Sequence, residues 1–436
     1  ICLVVWPNVF RQSISYFKFF VKVRIIYVVR KFLVSLLGVS VNDQGRGKRI
    51  LFVNLEGLGD LVVMTGVLKH YAAALPESEI YLLVNQSTGL TREVLPSGIK
   101  EVLTTNYRSL VRNPWYGFQL ANRLRRIGFE TVVSHDPSTA EIIGKMIVLE
   151  IGASRTIGYE GLGIQFQKPF DSNMVHNVAF VQKSLFPRYS EVIPSIDRTA
   201  DLSNRLPHFL RHYIAIFEYL TKHQVFDSAP VLYPVATAEE KVKKTLFDAE
   251  IEPGSYCLLS LGTTTIHREW PPERFAAVAR ILQEKNIPIV IAGSKHQAGL
   301  ARAFRQVYRG RVLDLTGETS VIDLISLIHL SLFSWSNDTG NTHIAVALKK
   351  PSLSILGIGH FGMLSLYGYP RLNWWVYVKG SCLCDNWHCI YTVSSSEPTV
   401  CIQAVQEEDV KRALNDLLQN VHDQPKEFEM EFATEI

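Results

Sequence analysis

The sequence predicts an α/β protein of two Rossmann-like, doubly wound domains that face a central cleft. First, 436 residues exceed what one ordinary hydrophobic core supports and suit two domains of similar size. Second, short β-branched runs alternate with longer helical periods, which indicates a parallel sheet with helices on both faces. Third, this alternation forms two separate series, and 47% hydrophobic with 20% charged residues is a composition typical of globular domains.

The first series begins at residue 48. Its predicted strands are 48–55, 79–84, 102–105 and 131–136, and its predicted helices are 60–75 and 114–127. The strands are apolar on both sides, as expected where helices cover both faces of a parallel sheet.

The second series begins at residue 256, after a linker predicted at 227–240, where two prolines interrupt any clear period. Its predicted strands are 256–262, 288–293, 311–315, 332–338 and 352–357, and its predicted helices are 272–286, 296–308, 320–329 and 340–348. Two such domains in series bind a ligand between them, at the carboxyl ends of their strands.

The first 41 residues are basic and aromatic. They contain no acid and six bases, namely Arg11, Lys18, Lys22, Arg24, Arg30 and Lys31. Charges interrupt every apolar run before about 18 residues, so neither a spanning helix nor a cleaved secretory signal is expected. The pattern suits a segment that lies on an anionic membrane surface, and a dispensable extension is the alternative. The rest of the chain is slightly acidic, so nucleic acid is not an expected partner.

Four of the six cysteines, Cys382, Cys384, Cys389 and Cys401, lie close together in the sequence. His388 adjoins Cys389, but the spacing differs from the C-x2-C pairs of zinc sites. We therefore expect a structural loop without a bound metal, and reduced thiols in a cytoplasmic protein.

The first candidate for chemistry is E-G-L-G-D at 56–60, between a strand and a helix. Gly57 and Gly59 allow a tight turn and a close approach to a ligand, and Asp60 stands at the helix start. A dinucleotide-binding fingerprint would need a third glycine where Val62 stands, which disfavours an oxidoreductase. Asp60 alone is also explained as a helix N-cap.

The second candidate is the stretch 260–275, in which Thr263, Thr264 and Arg268 follow a strand and precede a helix. Hydroxyls and a guanidinium beside a helix start suit a diphosphate, because arginine binds two phosphate oxygens at once. The alternative makes Trp270 and Pro271 packing residues and Arg268 a solvated base.

The third candidate is S-N-D-T-G-N-T-H-I-A at 336–345, which joins an apolar strand to a helix. Gly340 permits close backbone approach, and amide donors at the helix N-terminus favour an anion. His343 in the first turn is placed to donate to a phosphate, although a capping or packing role is the alternative.

In this order the motifs resemble glycosyltransferase family 9, the ADP-heptose:lipopolysaccharide heptosyltransferases, over residues 48–420. The similar segments are Gly57–Asp60, Arg155–Tyr159, Gly262–Pro271 and Asn337–Ala345. The resemblance implies a GT-B fold and an inverting transfer of a sugar, with heptose expected, from a nucleotide-diphosphate donor. It also implies a lipopolysaccharide-type, lipid-linked or other glycan acceptor, and no metal or cofactor.

The resemblance also assigns roles to residues and domains. Asp60 falls on the catalytic base, with Gly57 and Gly59 in the turn on the acceptor side. The donor-binding positions are Thr263, Thr264, Arg268 (in place of a lysine), Asp338, Thr339, Gly340 and His343. The expected domains are a segment 1–41 with peripheral membrane contact, an acceptor domain 42–232, a donor domain 233–422 and a tail 423–436. Asn54 and Gly66 depart from the arginine and proline that many members have.

Two other interpretations remain open at this stage. The first is another GT-B enzyme, such as a sugar-nucleotide epimerase, which would need additional carboxylates in the cleft. A catalytically silent nucleotide-sugar-binding protein or membrane adaptor would keep the donor site without using Asp60.

Overall fold

The computed structural model describes residues 21–40, 48–135, 141–159, 188–193, 209–358, 362, 364–369, 371–378, 396–421 and 431–432. Two six-stranded parallel sheets with intervening helices form the architecture. The predicted doubly wound α/β fold is confirmed.

The N-terminal sheet has the strand order β3-β2-β1-β4-β5-β6. The strands are β1 Arg49–Asn54, β2 Glu79–Asn85, β3 Ile99–Thr105, β4 Thr131–Ser134, β5 Arg155–Tyr159 and β6 Glu191–Ile193. The described helices are α1 (residues 21–37), α2 Leu58–Ala74, α3 Tyr107–Arg112, α4 Pro114–Ile127, α5 Glu141–Ile151 and α6 Phe209–Thr221. Because side chains alternate along a strand, Phe52 packs in one core with α2, whereas Leu51 and Val53 pack in the other with α4 and α5.

The C-terminal sheet has the order β13-β11-β10-β7-β8-β9. The strands are β7 Cys257–Ser260, β8 Ile289–Ile291, β9 Val312–Asp314, β10 Phe333–Asn337, β11 Ser352–Ile355 and β13 Asn373–Val376. The helices are α7 Ala236–Asp248, α8 Pro272–Glu284, α9 Ala298–Val307, α10 Val321–His329, α11 Gly340–Ala347, α12 Val400–Gln403 and α13 Glu407–Asn420. A separate antiparallel pair joins β12 (Tyr367–Gly368) to β14 (Glu431–Phe432).

Each sheet reverses its strand order at one point, next to β1 in the first sheet and next to β7 in the second. Such a switch point opens a crevice at the carboxyl ends of the strands, where α/β proteins bind ligands. The segments 56–60, 261–268 and 338–343 follow β1, β7 and β10. All three motifs that the sequence analysis selected therefore lie at a switch point.

Helix α2 connects the two halves of the molecule. Every residue from Leu61 to Leu68 is buried, and the helix contacts both α6 and α11. A helix that is apolar on all sides needs such cover on all sides. Its N-terminus is thereby fixed against the C-terminal domain.

Small residues allow α2 and α11 to meet at their N-termini. A methyl group added at Gly59 would lie 2.6 Å from Cδ2 of His343, and one added at Gly340 would lie 2.9 Å from Cδ2 of Leu58. Neither position has room for a side chain, so the two glycines set the distance between the domains here.

The predicted linker 227–240 is shorter in the structure, because α7 already begins at Ala236. The residues from Ala236 to Glu240 include good helix formers, and the helix they start buries Val242 and Leu246. The preceding stretch packs on α2: a side chain at Gly66 would meet the carbonyl oxygen of Ser228 at 2.1 Å. Proline, which many members of the family that the sequence resembles have at this position, would not fit.

Other sequence expectations differ in detail. Helix α2 begins at Leu58 instead of residue 60, and β3 begins at Ile99 instead of residue 102. The prediction for Cys382, Cys384 and Cys389, with His388, falls outside the described residues, whereas Cys401 is half-buried in α12. Within the described ranges, no helix is long and apolar enough to cross a membrane.

A buried ion pair attaches α1 to the N-terminal domain. The Arg30 guanidinium donates to the Glu150 carboxylate on α5, and both side chains are almost fully buried. Burial raises the pKa of Glu150 to about 7, because the nearby charge of Arg30 only partly offsets the loss of water. The free energy that such a group adds to folding is fully present below pH 4.5 and is lost as the pH rises through about 7.

We expect Arg30→Leu to lower the free energy of unfolding by about 3 kcal/mol near neutral pH, because it leaves Glu150 buried without its cation. The loss should shrink at acid pH, where Glu150 takes up a proton. Denaturant titrations of Arg30→Leu and of the double variant Arg30→Leu/Glu150→Leu measure this. The double variant should regain most of the lost stability, and a double variant no better than the single one would contradict the account.

Gly59→Ala should destabilise the protein by about 1–3 kcal/mol, because the new methyl group must displace His343 or separate the domains. Gly57→Ala is the matched control. Its methyl group would lie 3.4 Å from Oδ2 of Asp60, an ordinary contact, and its φ of −76° suits alanine. Thermal unfolding of both variants provides the test, and equal melting temperatures would argue against the close approach.

Candidate active site

Asp60 occupies the third position of α2, after the N-cap Gly57. Its half-buried carboxylate lies beside the backbone N–H groups of Gly57 and of Asp60 itself, which lower its pKa. An acid at this position commonly bonds back to the N-cap residue and stabilises the helix start. The position of Asp60 in the first turn therefore suits the capping alternative, and it places the carboxylate at the switch point.

The pKa of Asp60 is raised to about 6, chiefly by burial. The neighbouring backbone N–H groups and the positive charge of Arg268 lower it, and the negative charge of Asp338 raises it further. A carboxylate that titrates near 6 is ionised at neutral pH and is a stronger base than a solvated aspartate.

The loop after β7 is ordered by its own threonines. The buried Thr263 hydroxyl donates to the carbonyl oxygen of Thr265 and accepts from the Thr265 N–H at 3.1 Å. Thr264 is exposed, and its hydroxyl accepts from Nη2 of Arg268 at 2.5 Å. Of the two predicted phosphate-binding hydroxyls, Thr263 shapes the loop, and Thr264 lies beside the guanidinium.

Asn337 joins the turns that follow β7 and β10, and no role for it is predicted from the sequence. Its fully buried amide donates from Nδ2 to the Leu261 carbonyl at 2.6 Å and accepts the Trp270 N–H at 3.0 Å. Trp270 is itself fully buried, which confirms the packing role considered for it. Its position directly before Asp338 is the feature of the sequence that could have identified Asn337.

The turn after β10 forms the start of α11. Thr339 is the N-cap, and its hydroxyl accepts from the Asn341 N–H at 3.4 Å. Thr342 is buried and shares hydrogen bonds with Ser336 at 3.1 Å and Ser354 at 2.8 Å. The N–H of Gly340, the first helical residue, has no partner within the helix and points out of its positive end.

His343 lies inside the interface between the two helices. Its Nδ1 is 2.8 Å from the hydroxyl of Tyr367, the two rings are stacked, and its other edge faces Gly59. Burial, together with the charge of Arg268, lowers its pKa to about 3, so the imidazole is neutral at physiological pH. These contacts support a packing role for His343, which was the alternative to donation to a phosphate. Tyr367 was missed, since an isolated tyrosine carries no motif.

Arg268 is the central cation of the site. Its charge lowers the pKa values of Asp60, Asp338 and His343, so it lies close to residues of both domains. Burial raises the pKa of Asp338 to about 6 as well. Arg268, the Gly340 N–H and the positive end of α11 can receive an anion, while Asp60 and Asp338 can exchange a proton near neutral pH.

Two further family positions have structural roles here. Asn54 is buried: its Nδ2 lies 3.3 Å from the Met64 sulfur, and its Oδ1 accepts the Glu56 N–H at 3.1 Å. It therefore shapes the turn before Asp60. Arg155 lies on β5 and forms a two-point ion pair with Glu191 at 2.6 and 2.9 Å.

Residues 187–368 match the family described as glycosyltransferase family 9 (heptosyltransferase). The lipooligosaccharide heptosyltransferase 2 of Haemophilus ducreyi is 28% identical over 162 residues, which are 34% of this chain and 46% of that protein. The alignment thus spans less than half the length of this curated relative.

Solved structures extend the likeness to most of the chain. A family 9 glycosyl transferase from Veillonella parvula matches with a TM-score of 0.62 at 15% identity, over 87% of this chain and 99% of that one. The Escherichia coli heptosyltransferase WaaC with ADP matches with a TM-score of 0.56 at 15% identity, over 85% and 99%. At such identities the likeness shows the fold, which is GT-B. The predicted resemblance is therefore confirmed: the protein has the GT-B fold, and its residues 187–368 are similar in sequence to glycosyltransferase family 9.

Proposed function

We propose that this protein is an inverting glycosyltransferase that moves a sugar, with heptose expected, from a nucleotide-diphosphate donor to a lipopolysaccharide-type glycan acceptor. The observation that carries the proposal is the arrangement around Arg268. A guanidinium and a helix N-terminus in one domain face a half-buried carboxylate with a raised pKa in the other. The sugar and the acceptor rest on the family match and on the heptosyltransferase relative.

The donor diphosphate would bind between Thr264, Arg268 and the N-terminus of α11. The guanidinium offers paired donors, and the Gly340 N–H adds a backbone donor at the positive end of the helix. As the bond to the sugar breaks, negative charge grows on the diphosphate, and these groups stabilise it. Since they supply positive charge themselves, the proposal requires no metal ion.

Asp60 would act as the general base. Inversion needs the acceptor hydroxyl to lose its proton as its oxygen attacks the anomeric carbon, from the side opposite the diphosphate. Asp60 stands on the other domain from Arg268, as that geometry demands. Its pKa of about 6 leaves it ionised at neutral pH and able to take that proton.

One observation favours the alternative that the protein is a sugar-nucleotide epimerase. Asp338 supplies a second carboxylate close enough to raise the pKa of Asp60, and an epimerase would need such additional acids. The two activities give different products. An epimerase converts the sugar nucleotide without an acceptor, whereas the proposed transferase leaves it unchanged until an acceptor is added.

We expect at least one nucleotide sugar among ADP-, GDP-, UDP- and dTDP-sugars to raise the melting temperature, with ADP-heptose the first candidate. Arg268→Ala should weaken this binding by roughly ten- to a hundredfold, the value of a charge-assisted contact. Arg302→Ala, an exposed change on α9 of the same domain, is the matched control. If no donor stabilises the native protein, or if both variants bind alike, the donor-site assignment fails.

Asp60→Asn should retain donor binding and lose about two to four orders of magnitude in turnover, because asparagine can still cap the helix but accepts no proton. In the native enzyme kcat/KM should fall as the pH drops below about 6. Asp338→Asn removes a charge that raises the pKa of Asp60, so it should move this limb to lower pH. Steady-state pH profiles with EDTA present measure these effects. Unchanged turnover in Asp60→Asn would contradict its role as base.

A further inference from the structure

Helix α1 buries one face against the N-terminal domain and exposes the opposite one. Val23, Ile26, Tyr27 and Arg30 form the buried face. The opposite face carries six apolar side chains, each between 39% and 63% exposed: Val21, Ile25, Val28, Val29, Phe32 and Leu36. These six side chains recur at helical spacing and form one continuous apolar stripe along the helix.

Basic side chains flank this apolar stripe on both sides. At about 100° per residue, Lys22 lies on one side of the stripe, and Arg24 and Lys31 lie on the other. Lys22 and Lys31 are exposed. No acid occurs in the first 41 residues, so the whole face is positive at its edges and apolar along its centre.

The helix is held firmly in this orientation. Besides the Arg30–Glu150 pair, the Val39 N–H donates to Oδ1 of Asn122 at 3.2 Å, and Arg125 donates to the Val39 carbonyl at 3.2 Å. Its buried face packs in the core with α4 and α5, on the side of the sheet opposite α2. The apolar stripe is therefore a fixed outer surface. A partner bound to this stripe would not disturb the contact between α2 and α11.

We propose that the apolar stripe of α1 lies in the headgroup region of an anionic lipid membrane, parallel to its plane. A central apolar band with bases on both edges matches such an interface, where acyl chains meet negatively charged headgroups. A second copy of the chain fits less well. In a two-fold dimer the basic edges would face the same basic edges. This inference concerns binding alone and does not depend on the proposed transfer reaction.

Flotation of the full chain with lipid vesicles tests the proposal. Binding should be strong to phosphatidylcholine vesicles that contain phosphatidylglycerol, weaker to pure phosphatidylcholine, and reduced by salt. Ile25→Ser/Phe32→Ser should weaken binding by on the order of ten- to a hundredfold, since two large apolar side chains no longer enter the membrane. Lys22→Gln/Lys31→Gln should weaken binding to the anionic vesicles by about tenfold and leave the neutral ones unaffected.

Phe226→Ser/Phe247→Ser is the matched control, because these side chains are 93% and 78% exposed and lie elsewhere. It should float like the native chain. All the altered positions are exposed, so unchanged thermal unfolding is expected and separates binding from folding. Flotation of Ile25→Ser/Phe32→Ser equal to the native chain would overturn the proposal. So would a native chain that is dimeric without lipid, ignores vesicles, and becomes monomeric in that variant.

Discussion

The close approach of two helix N-termini, those of α2 and α11, holds the two domains and the site in one arrangement. Gly59 and Gly340 make the approach sterically feasible, because His343 packs against Gly59 and Leu58 packs against Gly340. Each N-terminus carries about half a positive charge, so their meeting is electrostatically unfavourable unless anions accompany it. Asp60 and Asp338 supply negative charge here, and a bound diphosphate would supply more. The same constraint thus explains both the packing and the affinity for anions that we propose.

Arg268 lies close to carboxylates of both domains and affects their pKa values. It faces two carboxylates whose pKa values of about 6 reflect burial more strongly than its own attraction. When a diphosphate occupies the guanidinium, less of that positive charge reaches Asp60, and its pKa should rise further. Donor binding would then strengthen the base that the next step requires. The neutral His343 does not titrate in this range and leaves the two acids to set the response to pH.

Much of the fold and of the candidate site was predictable from the sequence. The features that the sequence did not predict depend on contacts between distant parts of the chain. Strand cores such as 79–84 and the helix Pro114–Ile127 are specified by local apolar period and capping, so they were placed well. The three motif turns come together because topology puts the carboxyl ends of β1, β7 and β10 at switch points. Asn337 and Tyr367 act through contacts across the fold, which no local pattern encodes. For Thr263 the local pattern predicts a phosphate-binding hydroxyl, but in the fold this hydroxyl forms hydrogen bonds with Thr265 in its own loop.

A crystal structure of the protein with ADP would locate the proposed donor site. We expect the diphosphate at the switch point of the C-terminal sheet, with its oxygens against the Arg268 guanidinium and the Gly340 N–H. We also expect the terminal phosphate to face Asp60 across the contact of α2 with α11. A diphosphate bound elsewhere, or one that leaves Arg268 uninvolved, would contradict the account.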